Sequence, residues 1–259
     1  MKLVDSHAHL DFGQFHEDFD DTLARATDAG VEKIINIGAD MGRSRASIAL
    51  ADNYPNIFAT VGVHPDEANE VNFETIHDDL LTLAKNSENV VGIGETGLDF
   101  FQSAEKKKQK ELFQIHIDVA KHVSLPLIIH IRNGEDEEAV NTAYEILKKS
   151  DYQIGVIHCF TRGPDWAKRF LDLGLYIGYT GIITYKNAEE IREAVASTDL
   201  GKILIETDCP FLAPQKYRGQ RNEPAYVVEV AQKIAEIKGI TLDKVAKQTT
   251  INVEKLFNI

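Results

Sequence analysis

Cysteine is scarce in this chain: Cys159 and Cys209 are the only two among 259 residues. Two thiols make no disulfide framework, so a buried core must hold the fold, and the low count fits a reducing compartment. No apolar run approaches the roughly 18 residues that a membrane span needs. No charged-then-apolar leader pattern opens the chain, and His7 stands too near the start for a cleavable leader to precede it. A cytoplasmic protein with no membrane association is expected. Basic residues are outnumbered as well, 28 lysines and arginines against 41 acidic residues, for a net charge of −13. That balance argues against a general polyanion-binding surface, since duplex binders normally carry a basic face. It does not exclude a nucleic acid whose phosphate meets bound metal ions. There is no proline-rich linker, low-complexity segment or composition shift to mark a domain boundary, so one domain over residues 1–259 is expected. No Gly-x-Gly-x-x-Gly fingerprint follows the first apolar run, which removes the usual sign of a dinucleotide-binding sheet.

What the chain does have is alternation. Short apolar runs at 3–5, 33–37, 57–63, 90–94, 125–129, 153–157, 175–178 and 203–206 read as strands. Amphipathic stretches at 15–29, 44–53, 73–85, 104–122, 137–149, 164–173, 188–196 and 224–237 follow them and read as helices, with a further helix at 242–257. Strand-then-helix repetition implies a parallel sheet with right-handed crossovers. Eight such units in about 250 residues are the content of a (β/α)8 TIM barrel, here in the α/β class as a single domain with an extra C-terminal helix. A doubly wound open sheet is the rival. It would place ligands at one switch point rather than at the ends of strands one, three, four, five, six and eight.

Those ends carry metal-ligand residue types: His7 and His9, then His64, Glu95, His130, His158 and Asp208. Residues two apart on a strand point the same way, so His7 and His9 can face one ion together. Asp5 shares that face one layer lower, as a polar core residue or a partner for a histidine N–H. Glu95 lies among glycines that permit close backbone approach. Its two oxygens can bridge ions ~3.5–4 Å apart, which one imidazole nitrogen cannot do. A lone histidine after an apolar run is more often a satisfied core residue than a ligand. His130 and His158 on neighbouring strands, beside Glu95, reverse that expectation. The set suits zinc, manganese, magnesium or similar divalent ions. Two such ions, offset by Glu95 and Asp208, leave the pocket at about +2 inside an acidic protein, a local anion trap.

Taken in order, the motifs Asp5-Ser6-His7-Ala8-His9-Leu10, Gly62-Val63-His64-Pro65, Gly94-Glu95-Thr96-Gly97-Leu98-Asp99, His130-Ile131-Arg132, His158-Cys159-Phe160 and Glu206-Thr207-Asp208-Cys209-Pro210 resemble the TatD family of metal-dependent deoxyribonucleases within the amidohydrolase-like barrels. The segments Arg218-Gly219-Gln220-Arg221-Asn222-Glu223-Pro224 and Asn252 to Phe257 extend the likeness nearly end to end. The resemblance implies that His7, His9, Glu95 and Asp208 hold one ion while Glu95, His130 and His158 hold a second. It implies that His64 contacts the phosphate or assists proton transfer; the Gly-x-His-Pro context is also a turn signal. It further implies hydrolysis of DNA phosphodiesters, often as a 3′→5′ exonuclease on single strands, with roles in DNA repair or degradation. The catalytic residues are then Asp208, which orients or deprotonates the attacking water, with Glu95 and His64.

Arg132, Arg162, Lys186, Lys216, Arg218 and Arg221 fall where loops should cover the mouth. Arg132 and Arg218 are the leading candidates for phosphate grip, with Arg162 and Lys186 beside them in substrate binding. Salt bridges at loops or helix ends compete with that role for each. Phe100, Phe101, Phe160 and Tyr185 flank the same loops and either stack a terminal base or pack in the core. The basic run 106–110 spreads around a helix and reads as a solvated face, while the acidic run 135–138 suits the positive start of the next helix. Both cysteines read as small buried residues rather than nucleophiles. The activated water would equally attack an amide or ester carbonyl, so a metal-dependent amide, ester or deacylase hydrolase is the second enzyme class. A non-catalytic metal-binding scaffold is the third possibility. No stable protein partner is implied.

Overall fold

The computed structural model describes residues 1–102 and 104–259. In chain order its regular elements are β1 (Leu3–Ala8), α1 (Phe19–Asp28), β2 (Val31–Asn36), α2 (Met41–Asn53), β3 (Ile57–Val61), α3 (Ile76–Lys85), β4 (Val90–Asp99) and α4 (Lys106–Val123). There follow β5 (Leu127–Arg132), α5 (Glu138–Lys149), β6 (Gly155–Ile157), α6 (Pro164–Asp172), β7 (Tyr176–Tyr179), α7 (Glu189–Ser197), β8 (Ile203–Ile205), α8 (Val227–Lys238) and α9 (Leu242–Phe257). Every strand and helix expected from the apolar patterning is present, including the extra C-terminal helix. The chain divides into two compact units: residues 1–36, 159–172 and 176–259 in one, residues 37–158 and 173–175 in the other.

In the first unit β1 pairs in parallel with β2, and β7 with β8. All six residues of β1 are buried. Val227, Val230, Ala231 and Ile234 recur at helical spacing and form the buried face of α8. Gly239, in the left-handed region at φ 62°, closes that helix, and the Thr241 side chain then accepts the Lys244 N–H to open α9. Asn252 on α9 donates to the carbonyls of Leu200 and Ile203, 2.8 Å each, and so ties the last helix to the start of β8.

In the second unit β3, β4, β5 and β6 run parallel in that order. Ile93, Leu127, Ile128 and Ile129 on the strands and Leu112, Phe113 and Ile117 on α4 are fully or almost fully buried. Each such side chain contributes about 1.5–3 kcal/mol relative to leaving it in water.

Two strands run further than the apolar runs suggest. β4 continues four residues past Glu95, and β5 two past His130, so these residues stand inside strands rather than closing them. An apolar run stops at the first charged side chain, whereas a backbone ladder is indifferent to side-chain charge. Thr96 pairs with Ile129, Gly97 with His130, Leu98 with Ile131 and Asp99 with Arg132, after a register shift between Ile93 and Thr96. That irregularity falls at Glu95, and bulges are common beside functional sites. Gly97, at φ 132°, is required there: a Cβ would lie 2.1 Å from the His130 carbonyl oxygen. Among the described residues no helix is long and apolar enough to cross a membrane.

Candidate metal centre

In the first unit, β1 is interlocked with the segment after β8. The Asp208 N–H donates to the His7 carbonyl at 2.9 Å, and the His9 N–H donates to the Cys209 carbonyl at 2.8 Å. Asp208 takes a left-handed backbone, φ 57°, a conformation aspartate tolerates better than most residues. As a result the Nε2 atoms of His7 and His9 stand 3.2 Å apart, and each lies 3.5 Å from Asp208 Oδ1. Donor atoms bonded at ~2.0–2.1 Å in a tetrahedral shell are spaced about 3.3–3.4 Å from one another. Three donors already have the mutual spacing of an ion's ligands.

Asp5 lies beneath them, fully buried. It accepts the N–H and hydroxyl of Thr207 at 2.9 and 2.5 Å and the His7 N–H at 3.3 Å. Of the two roles open to it, these contacts make it a clamp on the backbone that carries His7 and Asp208. Burial outweighs those hydrogen bonds and pushes its pKa up to about 7. Cys159, directly after His158, is also left-handed at φ 45°, and Glu206 Oε2 accepts its N–H at 3.0 Å. Burial drives the Cys209 thiol well above its ordinary pKa, so it offers no thiolate, in keeping with its reading as a small buried residue.

The second unit gathers the other donors around Glu95. Its Oε1 lies 2.9 Å from His130 Nδ1, 3.7 Å from His158 Nε2 and 3.9 Å from His64 Nε2. Ligand atoms of His64, Glu95 and His130 all lie within 4.8 Å of one another. The His130 Nε2 is 3.2 Å from Asp99 Oδ2. Burial presses the His130 pKa down, but Asp99 and Glu95 outweigh it and hold the ring up to about 10. Burial likewise works against the charge on Asp99, yet His130 keeps that carboxyl below its usual range. A half-buried imidazole held by two carboxylates is an arrangement in which a divalent cation can take the place of a proton. His64 also accepts the Asp66 N–H through Nδ1 at 3.3 Å and caps the turn at Pro65–Asn69, as the turn signal suggests, while its Nε2 stays turned toward Glu95.

A family described as TatD related DNase matches residues 4–258. The chain belongs to that TatD family. It is similar to YabD of Bacillus subtilis, described as an uncharacterized metal-dependent hydrolase, with 38% identity over 99% of both chains. It is 31% identical to the 3'-5' ssDNA/RNA exonuclease TatD of Salmonella typhimurium, again over 99% of each. The crystal structure of YjjV, a TatD homologue from Escherichia coli, superposes with a TM-score of 0.93 at 32% identity, covering 99% of this chain and 98% of that one. This TatD-family chain is a metal-dependent hydrolase with the TIM-barrel fold of its relatives.

In this TatD-family chain the basic residues singled out from the sequence sort into two kinds. Arg132 is exposed and lays its guanidinium over the exposed Phe101 ring at 4.0 Å. Arg218, also exposed, sits 4.5 Å over Tyr185, whose hydroxyl donates to the Ala213 carbonyl. Stacking pre-organises both planar forks. Arg162 is half-buried before α6, and Lys186 is exposed ahead of α7. Arg221 is of the other kind. It is committed to Asp18 by a bidentate pair at 2.6 and 2.7 Å, while Arg25 grips Glu223 alongside. Lys216 similarly bonds Glu229. Phe100 and Phe160 are buried and belong to the core. Lys106 and Lys110 pair with Glu138 on a solvated helix face, as their spacing suggests.

Asp99 and His116 escaped the sequence reading. Asp99 had a usable signal, since positions 95, 97 and 99 share one strand face. His116 had none: it lies on α4, fully buried, accepting the Val63 N–H at 2.9 Å just before His64.

Proposed function

We propose that this chain hydrolyses phosphodiester bonds of DNA, acting 3′→5′ from single-stranded ends, with two divalent ions of magnesium, manganese or zinc. The observation that carries the reading is the spacing of His7, His9 and Asp208, three donors 3.2–3.5 Å apart. These three would hold one ion, and Glu95, His130 and His158 the other; the bridging role of Glu95 comes from the family resemblance. Bound ions would supply an activated water and neutralise charge developing on the phosphoryl oxygens. Asp208, whose side chain keeps 15% exposure, orients the attacking water or takes its proton. His64, between Asp66 and Glu95, handles a proton at the leaving oxygen or contacts the phosphate. Arg132 and Arg218, with Arg162 and Lys186, grip the phosphates of the strand. The Salmonella relative's named activity supports the polarity and the single-strand preference. Residues 1–259 act together as one catalytic domain.

The test is digestion of end-labelled single-stranded DNA with magnesium, manganese or zinc, with and without chelator, beside a panel of ester and amide substrates. Metal-dependent release of nucleotides from the 3′ end is expected, with Glu95→Gln reducing it on the order of a thousandfold. Turnover of the carbonyl panel but not of DNA would move the chain to the amide or ester class. Melting of the fold on chelation, with no turnover of either kind, would support a structural scaffold.

A further inference from the structure

We infer that Asp99 is a positioning residue of the metal centre: by accepting a hydrogen bond from His130 Nε2–H it keeps the Nδ1 lone pair of that ring turned toward Glu95 and the ion. A neutral imidazole carries one proton, and the partner of one nitrogen decides what the other can do. The His130 Nδ1 faces Glu95 Oε1 at 2.9 Å and its Nε2 faces Asp99 Oδ2 at 3.2 Å. The ring is held at both ends by a carboxylate. An ion bound at Glu95 would meet Nδ1 as a lone pair, while the Nε2–H stays hydrogen-bonded to Asp99.

Asp99 is built for this task and has little freedom to do anything else. Its Oδ1 is already used by the N–H groups of Phe101 and Gln102, at 3.0 and 3.2 Å, which leaves Oδ2 for His130. Its own backbone is clamped by the buried Gln109 of α4, whose Oε1 accepts the Asp99 N–H and whose Nε2 donates to the Asp99 carbonyl, both at 2.9 Å. The side chain itself is almost fully buried. The pairing of Gly97 with His130 and of Asp99 with Arg132 carries the carboxylate beyond the histidine along the neighbouring strand. A carboxylate–histidine–metal triad needs these parts.

The inference rests on the proposed ion at His130 but not on DNA as substrate, so its test is metal binding. Two variants separate positioning from turn formation. Asp99→Ser keeps a short acceptor for the Phe101 N–H and cannot reach His130. Asp99→Asn keeps the turn oxygen but presents an amide N–H to Nε2, which favours the opposite tautomer. Each full-length variant is titrated with manganese by calorimetry, and its metal-free form is melted. The cobalt-loaded wild type and both cobalt-loaded variants are also examined by NMR for the exchangeable, paramagnetically shifted N–H of His130. One equivalent is expected to weaken by about 10–100-fold in both variants while the other is unchanged, and the shifted N–H is expected to be seen in the wild type and to broaden or vanish in the variants. Metal-free melting should stay within a few degrees of wild type. Unchanged affinity for both equivalents overturns the inference, as does an equal loss at both with a large fall in melting temperature, which marks a turn residue. Complete loss of one equivalent overturns it in favour of a direct ligand, an option raised by the nearness of Asp99 to ligand atoms of His64 and Asp66. A wild type that binds a single equivalent refutes the two-ion reading, and the role of Asp99 is then decided by whether that equivalent weakens.

Discussion

His116 should make the stability of this protein depend on pH between about 4 and 6.5. It is fully buried on α4, and both ring nitrogens are used by the neutral form. Nδ1–H donates to the Leu112 carbonyl at 2.8 Å, and Nε2 accepts the Val63 N–H at 2.9 Å. A second proton would set N–H against N–H in a dry site. Burial therefore pushes the pKa down to about 4 from an ordinary 6.5, against a smaller opposing contribution from the Leu112 bond. Between those values the unfolded chain binds a proton that the folded chain refuses, so stability falls as pH falls. The contribution is complete above pH 6.5 and lost on the way to about 4, an amount of roughly 3 kcal/mol at ~1.4 kcal/mol per pH unit. Asp5 opposes it. Its folded pKa, raised to about 7 by burial, means the fold holds a proton that the unfolded chain has lost, so its contribution weakens as pH rises. The readout must therefore be a difference. Urea unfolding of the wild type and His116→Gln, with chelator present, would be followed from pH 7.5 to 4.5. Glutamine offers one donor and one acceptor but does not titrate. The wild type should lose most of ~3 kcal/mol relative to the variant across that range. Parallel stability curves would refute the argument, because they would mean His116 titrates alike in both states.

His64→Ala should lower kcat by about 10²–10⁴-fold, the usual weight of a proton-transfer group, with a flattened pH–rate profile and little change in melting. Arg218→Ala should raise KM for single-stranded DNA about tenfold and reduce the salt slope of binding by about one, measured by fluorescence anisotropy at several ionic strengths. Asp18→Asn should cost about 1 kcal/mol in urea unfolding and leave kcat unchanged, because Arg221 and Arg25 spend their charge on this carboxylate. Those hydrogen bonds hold the Asp18 carboxyl well below its usual range, so its stabilisation is complete above the ordinary carboxylate pKa and lost only at lower pH.

The barrel's parts were legible because hydrophobic period and strand length are local properties. The donor inventory was legible for a related reason: His-x-His in an extended strand puts two imidazoles on one side whatever surrounds them. Reading became unreliable where a residue's partner lies far away in sequence. Arg221 and Arg218 are three positions apart in the same loop, yet one is locked to Asp18 and the other lies over Tyr185. Nothing in the loop distinguishes them, since Asp18 is 203 positions distant. Lys106 and Lys110 were easier, because helical spacing alone places them on an exposed face.

By itself, then, the sequence determined the alternating architecture, the absence of a disulfide framework and the set of nitrogen and oxygen donors. Composition and near-neighbour pattern specify each of these. Only the tertiary structure decided which atoms converge. It set the register shift at Glu95, the left-handed turn that brings Asp208 Oδ1 within 3.5 Å of both His7 and His9, and the Asp99 carboxylate behind His130. The physical reason is that a ligand's usefulness depends on tenths of an ångström and on the tautomer its neighbour imposes. Both are fixed by backbone pairing between distant strands rather than by the identity of the ligand.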